Sequence, residues 1–315
     1  MNLVKSSAIS IVLAVTLAAP GIGAAAPTDV VTVREKTPDL TRLLRQIARP
    51  RLAIRRAEPE ADEPDLLELD FKRAISLAEA GRYDQAVEAY RQLIKRRPRW
   101  PVAHYNLGWT YTQMGRWREA AAECERALEL APRFAEATFL LALAYAHLGE
   151  AAKAVEFYWL AIDLNPDYAD AYNNLGNAYL SLKRYDDAVE SYRGAIQIEP
   201  TKADAHNGLG EAYRNLQRYQ AAVEEFKLAI HYNPHYSVAY HNLGMTYIAI
   251  RQFAEAAAAL KQAVALNPRD ARARFNLGVV YLMGLKNREA AREQQRALRD
   301  LAPELANRLD ALLNQ

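Results

Sequence analysis

Pro98, Pro132, Pro166, Pro200, Pro234 and Pro268 follow one another at intervals of 34 residues. A period of that size marks a stacked array of helical pairs, because one such pair cannot bury its apolar face alone. Setting Pro98 at position 32 of a unit places unit boundaries at 67, 101, 135, 169, 203, 237 and 271. The chain of 315 residues is then read as one array instead of two average domains, and 51% hydrophobic against 25% charged residues excludes a generally disordered chain.

The columns of the array carry the packing argument. Position 8 is small throughout: Ala74, Gly108, Ala142, Gly176, Gly210, Gly244 and Gly278. Position 20 reads Ala86, Ala120, Ala154, Ala188, Ala222, Ala256 and Ala290, and position 27 reads Leu93, Ala127, Ala161, Ala195, Ala229, Ala263 and Ala297. Position 24 is Tyr90, Cys124, Tyr158, Tyr192, Phe226, Leu260 and Gln294. Tyr111, Tyr145, Tyr179, Tyr213, Tyr247 and Tyr281 at position 11 account for six of the 18 tyrosines. The expected apolar faces are positions 4, 7, 8 and 11 in the first helix and 20, 24 and 27 in the second. Gly81, Gly115 and Gly149 serve the turn at position 15, where later units carry Lys183, Gln217, Arg251 and Leu285. The last unit drifts, with Pro303 one residue late.

This pattern resembles the tetratricopeptide repeat over about 67–304, which implies a right-handed, all-α solenoid of about seven helix-turn-helix units. The units are 67–100, 101–134, 135–168, 169–202, 203–236, 237–270 and 271–304. A capping helix over 305–315 then shields the last apolar face, with Leu305, Leu309, Leu312 and Leu313 on one side. Arg73, Asp70 and Lys72 make the first unit a polar cap at the other end.

Residues 1–25 read as a secretory signal peptide: Lys5, the apolar run from Ala8 to Ala19, a break at Pro20 and Gly21, then small residues before a cut after Ala25. A retained anchor is the alternative, but the run falls short of the about 20 residues that span a bilayer. An exported, periplasmic protein is expected. Residues 26–66 form a linker in which Leu40, Leu43, Leu44 and Ile47 lie among Arg42, Arg45, Arg49, Arg51, Arg55 and Arg56, followed by an acidic run from Glu58 to Asp65. Its bland reading is a flexible tether; the other is a basic amphipathic segment over 40–56 that touches anionic lipid, a partner or the groove of this chain.

By the family resemblance, positions 2, 5, 6, 9, 12 and 13 of the first helices line a concave groove. One shoulder holds Tyr105, Asn106, Trp109 and Phe139, and the centre holds Asp170, Asn173, Asn174, Asn177, Asp204, Asn207 and Glu211. The other shoulder holds His241, Asn242, Met245, Phe275 and Asn276. Amides carry donor and acceptor together, so a row of them suits the backbone of an extended peptide. Position 6, with Asn106, Asn174, Asn242 and Asn276, is similar to the asparagine ladder in the repeats of O-linked N-acetylglucosamine transferases, without any glycosyltransferase domain following. The other reading of these asparagines is packing against the neighbouring helix. Lysines are absent from position 5, so the dicarboxylate clamp of the family is not expected. The central acids point instead to a ligand with basic residues; the alternative for Asp170 and Asp204 is a solvated helix start.

Forty Lys plus Arg against 38 Asp plus Glu leaves a formal +2, too balanced for a nucleic-acid binder. Cys124 is alone, and Pro234 separates His231 from His235 in a turn, so no metal, cofactor or catalytic site is expected. The expected function is a non-enzymatic scaffold that binds an extended peptide or partner segment. The alternative is a structural module of a cell-envelope secretion or polysaccharide-export complex, working through convex or end surfaces and self-association.

Overall fold

The structure, a computed structural model, describes residues 64–314. The expected signal peptide over 1–25 and the expected basic segment over 40–56 lie outside the described residues. These form fifteen α-helices: α1 Pro64–Glu79, α2 Tyr83–Arg96, α3 Pro101–Gln113, α4 Trp117–Leu130, α5 Ala135–His147, α6 Ala151–Leu164, α7 Ala169–Ser181, α8 Tyr185–Ile198, α9 Ala203–Asn215, α10 Tyr219–Tyr232, α11 Ser237–Ala249, α12 Phe253–Leu266, α13 Ala271–Val279, α14 Arg288–Leu298 and α15 Pro303–Leu313. A π-helical turn, Val280–Gly284, extends α13. Each helix packs on its neighbours in sequence, and first helices of successive pairs also touch, as α7 does α9. Among these residues no helix is long and apolar enough to cross a membrane.

Two backbone devices repeat and set the pitch of the solenoid. Inside a unit, a left-handed residue at position 15 ends the first helix: Gly81, Gly115 and Gly149 have φ near +74, and Lys183, Gln217 and Arg251 adopt φ of 58, 59 and 62. Two N–H groups then fold back, as when Gly115 donates to Thr112 and Arg116 to Tyr111, which closes a Schellman motif. Between units, the residue before each proline is driven out of the helical region; Arg97 has φ −132 and ψ 80.

The interior follows the columns with one correction in the first helices from the second unit onward. Position 4 carries Asp70, His104, Thr138, Tyr172, His206, Tyr240 and Arg274, which are not apolar. The buried column lies one residue earlier, where Ala103, Ala137, Ala171, Ala205, Ala239 and Ala273 are all fully buried. Alanine keeps the first helix close to the preceding unit, and position 4 is left to make polar contacts across the junction. The position-11 tyrosines do more than fill space. Arg91 donates to the Tyr111 hydroxyl at 2.9 Å, Tyr145 donates to Glu125 at 2.7 Å, and Trp159 donates to Tyr179 at 2.8 Å. Arg193 does the same to Tyr213 at 2.9 Å, so in the second to fifth units the hydroxyl that phenylalanine lacks ties the unit to position 25 of the one before.

The last unit departs from the 34-residue register because its π turn inserts one residue. The left-handed residue is Lys286, at φ 56, instead of Leu285, and Asn287 donates to the Tyr281 carbonyl at 2.7 Å. Every later column moves by one. Ala291, Gln295 and Leu298 are the buried residues of α14, where Ala290, Gln294 and Ala297 were expected. Gly284 fits the turn because a Cβ there would lie 2.5 Å from the Phe253 ring. The cap α15 then buries Ala306, Leu309 and Leu313 against Leu282, Ala291 and Leu298, each leucine contributing about 2 kcal/mol.

Candidate functional site

The candidate groove lies on the first helices of the units, and the site residues divide by what they touch. Position 5 meets the residue at position 34 of its own unit, just ahead of the next first helix. Phe71 packs on Trp100 with ring centroids 4.7 Å apart, Tyr105 on Phe134 at 5.0 Å and Phe139 on Tyr168 at 4.8 Å. In the sixth unit the same pairing is polar, His241 Nδ1 to Asp270 at 3.9 Å. Sequence reasoning missed this partner column, although Trp100, Phe134, Tyr168 and Tyr236 repeat as aromatics at position 34.

On the first shoulder, Tyr105, Trp109 and Phe139 are half-buried, and Asn106 is buried with its amide donating to the Val102 carbonyl at 2.8 Å. Asn174 likewise donates to the Asp170 carbonyl at 3.0 Å. These two asparagines each spend a donor on a carbonyl of their own helix. Asn242 and Asn276 cross the junction instead. Asn242 donates to the side-chain oxygen of Asn207 at 3.1 Å, and Asn276 lies 3.0 Å from His241 Nε2 and 3.1 Å from the Met245 sulfur. Burial holds the His241 imidazole below its ordinary pKa, Asp270 pulls it upward, and Arg214 and Arg272 push it down. A neutral ring leaves Nε2 free to accept from Asn276. Phe275 is drawn out of this row: it packs against the capping helix, with the Arg308 guanidinium 5.0 Å from its ring centre.

The centre is assembled around a side chain from the second helix of its unit. Tyr192 on α8 is fully buried, and its ring reaches between Gly176 and Gly208; a Cβ at these would sit 2.7 Å and 2.3 Å from it. Its hydroxyl donates to Asn177 at 2.6 Å, and the Asn177 amide donates to Asn174 at 3.4 Å. Burial first, then Glu211 and Tyr236, raises the Tyr192 phenol well above the usual tyrosine range. Tyr236 is raised by burial and by Asp204, to which it is hydrogen-bonded, with Glu211 adding to the effect. The structure therefore brings Asn177, Asp204 and Glu211 together around two protonated phenols, neither of which was among the expected site residues.

The central acids have partners within the chain. Asp170 receives Lys202 at 2.8 Å, Lys202 also reaches Glu199 at 2.9 Å, and Arg214 lies 3.6 Å from Glu211. Burial would lower the Lys202 pKa, but the bonds to Asp170 and Glu199 raise it. Asn173 is buried, and its side-chain oxygen has no hydrogen-bond partner. Cys124 is fully buried, and burial, then Glu123 and Glu125, pushes its thiol up, so it packs and does not react. No cluster of metal-ligating side chains occurs among the described residues.

Profiles of the tetratricopeptide repeat match residues 71–133, 105–164, 157–190, 203–236 and 241–306, and a TPR repeat profile matches 176–217. Among solved structures, the APC/C hetero-tetramer Cut9-Hcn1 is similar at TM-score 0.63 and 22% identity, over 79% of this chain and 49% of that one. PilF of Pseudomonas aeruginosa matches at 0.59 and 22%, over 67% of this chain and 96% of its own. YrrB, a TPR protein with an unusual peptide-binding site, matches at 0.50 and 25%, over 61% of this chain and 99% of its own. The sequence has no significant match among curated proteins.

Proposed function

The chain belongs to the tetratricopeptide repeat family, and from that premise we propose that it is a non-enzymatic scaffold which holds an extended peptide along its first helices. The observation that carries this is the row of amides across successive units, Asn174, Asn177, Asn207, Asn242 and Asn276. Each side-chain amide has two N–H donors and an oxygen with two lone pairs. The bonds within the row, such as Asn242 to Asn207 at 3.1 Å, hold the amides in place while using part of that capacity. A peptide backbone has the same donor and acceptor pair at every residue, so it is met without its side chains being read. YrrB, similar in fold, is a TPR protein with a peptide-binding site of its own. The leading Lys5, the apolar run to Ala19 and the small residues to Ala25 support a site of action outside the cytoplasm.

The test is a peptide selected from a random display library against the mature chain, with affinity read by fluorescence anisotropy. Replacing Asn174, Asn207 and Asn242 together by alanine is expected to weaken it at least tenfold while circular dichroism keeps its helical signal. Unchanged affinity in the folded triple variant sinks the reading.

A further inference from the structure

From α7 onward the polar row follows a rule that fails at one junction. Where two units carry a rung, position 6 of the later unit meets position 5 of the earlier, as Asn242 meets Asn207 and Asn276 meets His241. Between α7 and α9 the corresponding residues are Asn173 and Gly208, and Gly208 has no side chain to offer. Its identity is imposed from behind: the Tyr192 ring fills the space where any Cβ would stand, 2.3 Å away. Asn173 is left with a buried oxygen that accepts nothing.

The groups along α9 on either side of Gly208 are acceptors as well. Tyr192 donates its hydroxyl hydrogen bond to Asn177 and Tyr236 is hydrogen-bonded to Asp204, so both phenol oxygens present lone pairs. Asp170, Glu199, Asp204 and Glu211 face Lys202 and Arg214, an excess of two negative charges. Lys202 is held by two of those acids, and Arg214 stands 3.6 Å from Glu211. Asp204 is exposed, and the partner it has is a neutral phenol. A peptide N–H would satisfy one acceptor here and leave the charge unanswered. A guanidinium brings five donors, no acceptor and a permanent positive charge.

We propose that the junction of α7 and α9 is a receptor for one arginine side chain of the bound peptide, seated between Asp204 and Glu211 and fixing the register in which the peptide lies. This rests on the groove reading above, and it adds a position and a side chain to a surface that otherwise reads backbone.

The probes are three fluorescein-labelled decapeptides of alanine and glycine whose single central residue is arginine, citrulline or norleucine, titrated against the mature full chain. The arginine peptide is expected to bind at least tenfold more tightly than the citrulline peptide, its uncharged near-isostere. In the Asp204→Asn, Glu211→Gln double variant that margin should shrink to less than threefold, with the melting curve unchanged. Equal affinity for arginine and citrulline in the native chain overturns the arginine receptor and leaves the groove reading standing. Failure of all three peptides to bind overturns both. A margin that survives intact in the double variant also overturns the proposal, since the cation would then be recognised elsewhere.

Discussion

His206 Nδ1 lies 2.7 Å from the Glu225 carboxylate while its Nε2 lies 2.9 Å from the Pro200 carbonyl, so one ring ties α9 to α10 and to the preceding unit. Both partners only accept, and the ring satisfies both as imidazolium. Burial works against that charge, but the bond to Glu225 and the bond to Pro200 outweigh it, and the pKa is raised. A raised folded-state pKa contributes stability that is fully present below the unfolded value of about 6.5 and is lost as pH climbs through the folded value. The urea midpoint should therefore fall as pH rises from about 6 upward. A His206→Gln variant should show a flatter dependence over the same range, and parallel curves would show that this ring is not responsible.

The left-handed turn residues predict opposite effects for opposite substitutions. Nothing lies within 4 Å of a Cβ added at Gly115, so Gly115→Ala has a purely conformational cost, about 1 kcal/mol. Gln217 already bears that cost at φ 59, and Gln217→Gly should stabilise the array by up to about 1 kcal/mol. Denaturant midpoints of the two variants should move in opposite directions.

The wedge of Tyr192 predicts coupling between residues far apart in sequence. Gly176→Ala would place a methyl 2.7 Å from the ring and should destabilise by about 1–3 kcal/mol through overpacking. Gly108→Ala meets the Cys124 sulfur at 3.0 Å and the Ala120 carbonyl oxygen at 3.2 Å, both farther than the ring is from Gly176, and should cost less. In the Gly176→Ala, Tyr192→Leu double variant the methyl gains room, so the loss should fall short of the sum of the single losses. Strict additivity in urea melts would contradict the wedge.

Much of this architecture was legible because packing columns depend on residue size, and size repeats. The prolines and the alanines at position 20 mark the helical pairs, and Ala86 to Ala256 in that column are fully buried. Position 4 was misread because a helical face is wide: Ala103 and His104 both lie near the junction, yet the alanine fills the interior and the histidine reaches across to the Pro98 carbonyl. The groove was harder to read for a different reason. Its centre depends on Tyr192, which belongs to a second helix and reaches the first helices only where Gly176 and Gly208 make way. A list of lining positions drawn from first helices alone cannot contain it. Phe275 left the row because the cap offered it Arg308, a contact set by the end of the array and not by the repeat.

The π turn supplies the sharpest discrimination between the period and the structure. Continuing the 34-residue spacing makes Ala290 the packing alanine of α14, whereas the inserted residue makes it Ala291, which is fully buried beside Leu298 and Leu309. Ala290 is half-buried at the start of the helix, where its N–H is bonded to the Asn287 side chain at 3.0 Å. Ala291→Leu should therefore force three extra carbon atoms into a filled space and cost about 1–3 kcal/mol. Ala290→Leu has solvent to turn into and should stay within about 0.5 kcal/mol of the native chain. Leu298→Ala should lose about 2–5 kcal/mol by opening a cavity under the cap. Urea midpoints measured on the three variants decide the register: if Ala290→Leu is the damaging leucine and Ala291→Leu the tolerated one, the last pair keeps the period and the insertion is refuted.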